Sequence, residues 1–313
     1  MKGTKKIFLF LRLLVTVGVS WWVWTRLEGN GNTPFELILS HPSWIFAVPA
    51  AVIAVNTLIH TLRLWLLFKA SAQVISFKTI LSAILKSHFI GLVLPVGGAD
   101  LIKISYLSNV AGSSLAAGML GLARLLEMIP WGGALLFGGL VLWRMDWMLG
   151  VSAIGCGVAL LFICASGLWF SQQKISHWSR VPQRIRNFVE RLEAGLQSIG
   201  RQPMVLWRVS ALGICFLGMN TLCIFVLCRV YAHPMRVLDV LTLFPFVDFM
   251  VSLPISLNGV GIRESVYPML LSFYGLGMDI ALAIAWTRWT GELFRAGVGG
   301  ILFLIDRSFV QNQ

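Results

Sequence analysis

Six stretches of the chain, 7–24, 43–68, 113–142, 149–170, 204–228 and 278–305, are apolar over the length a bilayer-crossing helix requires. About 20 consecutive apolar residues carry an α-helix across a hydrocarbon layer roughly 30 Å thick, where each backbone polar group must find its partner inside the segment. Charged residues make up only 12% of the 313 residues and hydrophobic ones 57%, with a mean hydropathy of +0.81. A soluble domain carries about twice that share of charge. The chain therefore reads as a single integral membrane domain over 1–313, all-α and polytopic, with no room for a soluble catalytic domain. Trp21, Trp22, Trp24, Trp44, Trp143, Trp147, Trp169 and Trp207 fall near the ends of the stretches, as interfacial anchors do.

The net charge of +12 does not point to nucleic acid. Basic residues gather at stretch ends and in one loop, without the interleaved aromatic and basic groove that binds a strand. Cys156, Cys164, Cys215, Cys223 and Cys228 all lie inside apolar stretches, without ligand-like spacing, and read as small core residues rather than metal ligands. Lys2, Lys5 and Lys6 precede an apolar run as in a signal peptide. Trp21-Trp22-Val23-Trp24 stands where a small-residue cleavage site would, so the run reads as a retained first helix.

The long polar loop 171–203 carries Lys174, Arg180, Arg184, Arg186, Arg191 and Arg201 against Glu190 and Glu193, and the positive-inside bias assigns it to the cytoplasm with the N-terminus. Within it, 183–199 has the pattern of an amphipathic surface helix. Both basic ends lie on one side only if 79–110 enters and returns on the same face, turning at Pro95–Gly98. The same count places 229–236 outside, makes about 237–277 a second re-entrant hairpin, and returns the C-terminus to the cytoplasm. The expected fold has about six spanning helices plus two re-entrant hairpins. Repeat one covers about 1–142 and repeat two about 149–305, in inverted topology because each half crosses three times. Inverted repeats place their site near the midplane, where the broken elements meet.

Both breaks have the same grammar. The first is Leu94-Pro95-Val96-Gly97-Gly98-Ala99-Asp100, with Lys103 beyond it and Arg124 and Glu127 in the following apolar stretch. The second is Leu253-Pro254-Ile255-Ser256-Leu257-Asn258-Gly259-Val260-Gly261, then Arg263-Glu264, with Arg288, Glu292 and Arg295 in the next stretch. A helix restarting inside the membrane aims its positive dipole end and free N–H groups into the cavity, which suits an anion. Asp100 reads as an N-cap of 101–110 or as a direct participant, and Asn258 or Gly259 as the cap of 262–274. Lys103 and Arg263 reinforce the positive end. Arg124 with Glu127, and Arg288 with Glu292, are spaced to neutralise each other on one helix face, either bracing the bundle or meeting substrate. Asp248 is a partner for one of these arginines or a proton relay. Arg63 is expected to snorkel to the cytoplasmic interface. No metal-binding or catalytic constellation and no P-loop occurs, so no cofactor, metal or enzymatic activity is expected.

The second break, from Ser252 to Glu264, resembles the signature of the lysylphosphatidylglycerol synthase transmembrane-region family, also called flippase-like domain proteins. The first break and Arg124 resemble the family's other motif, with Ala99 inserted between the Gly pair and Asp100. Full-length members follow this domain with an aminoacyl-transfer domain and move aminoacylated phosphatidylglycerol between leaflets. The resemblance implies a stand-alone member in the bacterial inner membrane that transports without synthesis, its partner a phosphate-bearing lipid head group. The alternative is a non-transporting membrane partner of a lipid-modifying enzyme or glycosyltransferase.

The charge count yields a labelling pattern. Cysteine probes near Gln172 and near the C-terminus should react only from the cytoplasmic face, and probes near Asn30 and His233 only from outside. Reaction near Gln172 from the outer face would make the first hairpin a full span and remove the inverted repeat.

Overall fold

The computed structural model describes residues 33–41, 43–71, 73–92, 98–144, 146–172, 202–231, 235–252 and 261–306, together with Trp21, Glu190, Arg191, Glu193 and Gln197. All regular structure among the described residues is helical. The elements are α1 (Pro34–Ser40), a 3-10 turn (Ser43–Phe46), α2 (Ala47–Ala70), α3 (Phe77–Gly91), α4 (Gly98–Ala111), α5 (Ser113–Trp143), α6 (Trp147–Gln172), α7 (Pro203–Val230), α8 (Val237–Ser252), α9 (Ile262–Ser272) and α10 (Met278–Ile305).

Among the described residues four segments, Trp44–Ala70, Ser113–Trp143, Trp147–Trp169 and Met204–Val230, are long and apolar enough to cross a membrane. They coincide within a few residues with the expected spans 43–68, 113–142, 149–170 and 204–228, and the chain is an all-α polytopic membrane protein. The stretch 278–305 is α10, as long as α7 but set apart by Arg288, Glu292 and Arg295 at its centre. The stretch 7–24, apart from Trp21, and the turns of both breaks lie outside the described residues, as does most of the proposed surface helix 183–199.

The helices beside the breaks are short: 15 and 14 residues for α3 and α4, 16 and 11 for α8 and α9. At 1.5 Å per residue they reach about 16–24 Å, and none crosses a hydrocarbon layer of roughly 30 Å alone. The order long, short, short, long runs through α2, α3, α4 and α5 and again through α7, α8, α9 and α10. Glycine makes the joints that tighten this order. Gly112, at φ +82°, is the single residue between α4 and α5, a backbone conformation that L side chains rarely adopt.

The helices group into two compact units that interleave along the chain. One comprises residues 55–87 and 100–219, the other 1–54, 88–99 and 220–313. In the first, α5 and α6 form a tight antiparallel hairpin. A Cβ on Gly132 would lie 2.7 Å from Leu161 Cγ, and one on Gly157 would lie 2.9 Å from the Gly132 carbonyl. Lipid tails are as apolar as leucine, so helices in a bilayer are held by close packing rather than by escape from water, and small residues permit that approach. Leu64, Leu67 and Phe68 of α2, Ile80 and Ile84 of α3, and Met119 and Leu122 of α5 form the fully buried centre of this unit.

In the second unit α10 is the hub, packing against α1, the 3-10 turn and α9, while α9 also packs on α8. The short α1 holds its start by a reciprocal cap. Glu36 N–H donates to Thr33 Oγ1 at 3.3 Å, Thr33 N–H donates to Glu36 Oε2 at 2.9 Å, and Pro34 presets the first turn. Tyr231 ties α7's end to α10 through a 2.8 Å hydrogen bond between its hydroxyl and that of Thr287.

Packing at the α5–α6 seam is testable by one methyl group. Gly157→Ala should destabilise the purified protein by about 1–3 kcal/mol, because backbone rather than a flexible side chain lies in the way. Gly133→Ala, which meets nothing within 4 Å, should be neutral or slightly stabilising. Melting temperatures in detergent decide, and equal effects at the two positions would disprove the close seam.

Candidate functional site: two buried charge clusters

The charged residues singled out in the sequence collect into two clusters, each internal to one unit. In the first cluster Asp100 lies inside the first turn of α4, which starts at Gly98, rather than capping 101–110 as expected. Its carboxylate instead accepts from Lys103 Nζ at 2.9 Å and from Arg124 Nε and Nη2 at 3.0–3.2 Å. Arg124 Nη1 donates to Glu127 Oε2 at 3.2 Å, and Arg63 Nη1 lies 3.6 Å from that same oxygen. Lys103, Asp100, Arg124, Glu127 and Arg63 thus form a chain of alternating charge that begins and ends on a cation.

Arg63 does not snorkel to an interface. Its side chain is fully buried, and its Nη2 donates to the Ala123 carbonyl at 3.1 Å. Glu127 from the neighbouring helix makes that depth tolerable, a partner invisible in the pattern of α2 alone. Lys103 is equally buried, whereas the Arg124 side chain is 49% exposed. Arg124 is therefore the member of the chain that faces open space. Lys86 of α3 lies over the Tyr106 ring of α4, 5.4 Å from its centroid, one turn from Lys103.

In the second unit the spacing of Arg288 and Glu292 does not make a pair, whereas Asp248 takes one of the arginines as expected. Arg288 Nη2 donates to both oxygens of Asp248, on α8, at 3.1 and 3.2 Å, with the guanidinium 5.0 Å from the Phe244 ring. Glu292 is taken by Arg295 one turn on. The two side chains of the Arg288–Asp248 pair are 8% and 17% exposed. A guanidinium desolvated to that degree is held best by a carboxylate meeting it squarely, and Asp248 supplies this across helices.

Arg263, in the first turn of α9, is 5% exposed, and its Nε and Nη1 have no hydrogen-bond partner. No ion pair among the described residues includes it, although it acts electrostatically on both Asp248 and Glu292. Tyr267, one turn along α9, is 2% exposed, and its hydroxyl is likewise buried without a partner. It was not among the sequence candidates, although its spacing of four from Arg263 sets the two on one helix face. Glu264 does not join the arginines. Its Oε2 accepts from the Gly261 N–H at 2.6 Å, closing the start of α9. Gly261 is that helix's N-cap at φ +87°, in place of the expected Asn258 or Gly259. Pro95, Gly97, Pro254, Asn258 and Gly259 lie outside the described residues, and Gly98 is the first residue of α4.

Each cluster therefore sets three cations against two carboxylates: Arg63, Lys103 and Arg124 against Asp100 and Glu127, then Arg263, Arg288 and Arg295 against Asp248 and Glu292. Buried polar atoms in folded proteins nearly always have partners, and here several donors of the surplus cations have none. These helices and clusters define a polytopic α-helical membrane protein with charge built into its interior. The chain belongs to the lysylphosphatidylglycerol synthase TM region family, whose pattern it matches over residues 9–288. Comparison of the sequence with curated proteins gives no match.

The pairing scheme separates two arginines by stability. Arg288→Ala strands Asp248 and should cost about 3–5 kcal/mol. Arg263→Ala leaves Asp248 with Arg288 and Glu292 with Arg295, and should change the melting temperature little. A melting temperature lowered as far by Arg263→Ala as by Arg288→Ala would make Arg263 part of the brace.

Proposed function

We propose that the protein translocates a phosphate-bearing membrane lipid between leaflets, with Arg263 as the principal contact for the head-group anion. The observation that carries this reading is the buried Arg263 guanidinium, with Nε and Nη1 unpartnered beside a cluster whose two carboxylates are already engaged. Its position at the start of α9 adds the positive end of a helix dipole, an arrangement that favours an anion. Tyr267 offers a hydroxyl donor one turn away. Arg124, the exposed centre of the other cluster, is an anion contact of its own unit by exposure rather than by unpartnered donors, with Asp100 and Glu127 holding it in place.

The role needs no bond made or broken. The protein's chemistry is desolvation of a head group and its replacement by fixed cations, while the hydrocarbon tails remain in lipid. The site of action is the bacterial inner membrane, with both termini in the cytoplasm. Membership of a family defined by a lysylphosphatidylglycerol synthase membrane region supports a lipid as the cargo.

The test is leaflet exchange of a fluorescent phosphatidylglycerol in vesicles containing the purified protein. Arg263→Ala should abolish exchange while expression and melting stay near the parent. Arg263→Lys should restore only part of it, since lysine keeps the charge but loses the planar donor set suited to phosphate. A folded Arg263→Ala protein with full exchange overturns the assignment. Absence of exchange by the parent protein would favour the role of a non-transporting partner to a lipid-modifying enzyme.

A further inference from the structure

Within the unit made of residues 1–54, 88–99 and 220–313, a crevice of about 330 Å³ lies between α1, the turn before α2, the first turn of α9 and the middle of α10. That volume is at the lower end of the roughly 300–1,000 Å³ of small-molecule sites. Among the described residues its walls carry four aromatic side chains, Phe35, Phe46, Trp286 and Trp289, and a single carboxylate, Glu264. Phe35 is exposed, and Trp286, Trp289 and Glu264 are half-buried, so the walls are open to a solute.

Glu264 is an acid to which the protein brings no cation. The Gly261 N–H donates to its Oε2 at 2.6 Å, and among the described residues its other oxygen receives no hydrogen bond. Asp100, Glu127, Asp248 and Glu292 each meet a lysine or arginine, whereas no ion pair among the described residues includes Glu264. Arg263, its neighbour in sequence, does not line the crevice. A carboxylate set among aromatic rings attracts a cation twice, by its own charge and by the negative faces of the rings. The class of cation follows from the acceptors present. Calcium and magnesium need about six oxygen ligands. A primary ammonium has three N–H donors to satisfy. The lining side chains offer two acceptors, the second Glu264 oxygen and the hydroxyl of Thr290, whose own hydrogen goes to the Thr287 carbonyl at 2.6 Å. A fully methylated ammonium has no N–H, and its methyl groups pack on ring faces.

We infer that this crevice binds a quaternary ammonium group, its methyl groups lying against Phe35, Phe46, Trp286 and Trp289 and its charge answered by the second oxygen of Glu264. The site takes a cation and makes no use of Arg263, so it stands apart from the anion contact and from translocation. The same group is carried by a free solute such as choline and by a zwitterionic head group, and the crevice reads only the group itself.

The experiment titrates the full chain, in a maltoside detergent, with choline and follows binding by saturation-transfer NMR on the choline methyl protons. Two comparison probes are ethanolamine, a primary ammonium, and the neutral isostere of choline in which carbon replaces nitrogen. Choline should bind about tenfold or more tightly than either, the value of a partly desolvated cation on aromatic faces. Glu264→Gln keeps an acceptor for the Gly261 N–H and removes the charge. It should weaken choline about tenfold and leave the isostere unchanged, which also shows that the variant is folded. Trp286→Leu keeps an apolar wall, removes a ring and should weaken choline several-fold at a melting temperature near the parent's. Absence of choline binding, equal binding of choline and its isostere, or an unchanged choline affinity in Glu264→Gln overturns the inference, whatever Arg263→Ala does to exchange. Bilayer discs of phosphatidylcholine and of phosphatidylglycerol separate the two sources. Choline excluded only by phosphatidylcholine assigns the crevice to a head group, equal binding in both assigns it to a free solute, and exclusion from both overturns the site.

Discussion

A charge held away from water is costly unless a fixed opposite charge lies against it, and most of the arrangement of this protein follows from that cost. Arg63, Lys103 and Arg288 are almost without exposure, and each has a carboxylate against it. The carboxylates are shared rather than multiplied: Glu127 serves Arg63 and Arg124, and Asp100 serves Lys103 and Arg124. In the second cluster Asp248 and Glu292 each take one arginine and Arg263 is left over, so each cluster has one positive charge more than its own acids can cancel. A structure built only for stability would have closed that gap with a third carboxylate or an apolar residue.

Helix packing supplies the rigidity that such pairs need. A guanidinium held at 3.0 Å by a carboxylate on another helix keeps that geometry only if the helices cannot slide. In the first unit the α5–α6 seam brings backbone against backbone at Gly132 and Gly157. On α10, Gly291, one turn from Arg288, lies so close to the Pro49 carbonyl that a Cβ there would approach it to 2.6 Å. Small residues therefore fix the helices to which the charges are attached. The two arginine clusters and the glycine seams are parts of one design, in which close backbone contact holds expensive side chains in register.

Much of this was legible in the sequence because the membrane restricts what apolar segments can do. The long helices, the interruption before Asp100 and before Arg263, and the joint neutralisation of Arg124 with Glu127 all follow from hydropathy and spacing. What was not legible are relations between helices. Spacing of four suggested that Arg288 meets Glu292; Asp248 was expected to take one of the arginines, but i,i+4 geometry contains no information about which one α8 presents it to. Arg63 looked like a snorkelling residue because nothing in α2 reveals Glu127 beside it. Tyr267 was not singled out in the sequence, and only its buried, unpartnered hydroxyl distinguishes it. Gly261 rather than Gly259 opens α9 because Glu264 reaches back three residues to its N–H, a local rule that was available but was outweighed by the Asn-Gly pair.

The contact between α1 and α10 joins opposite ends of the chain, α1 near the beginning and α10 near the end. A ribosome delivers them far apart in time, and domains take shape in the order their segments emerge. The unit formed by residues 55–87 and 100–219 has all its segments before α8 is made, whereas α1 must wait for the last helix. Thr33, Pro34 and Glu36 give this seven-residue helix its own start, so it can keep its shape during that wait. The packing of α1 on α10 is thus the last feature of this unit to be completed.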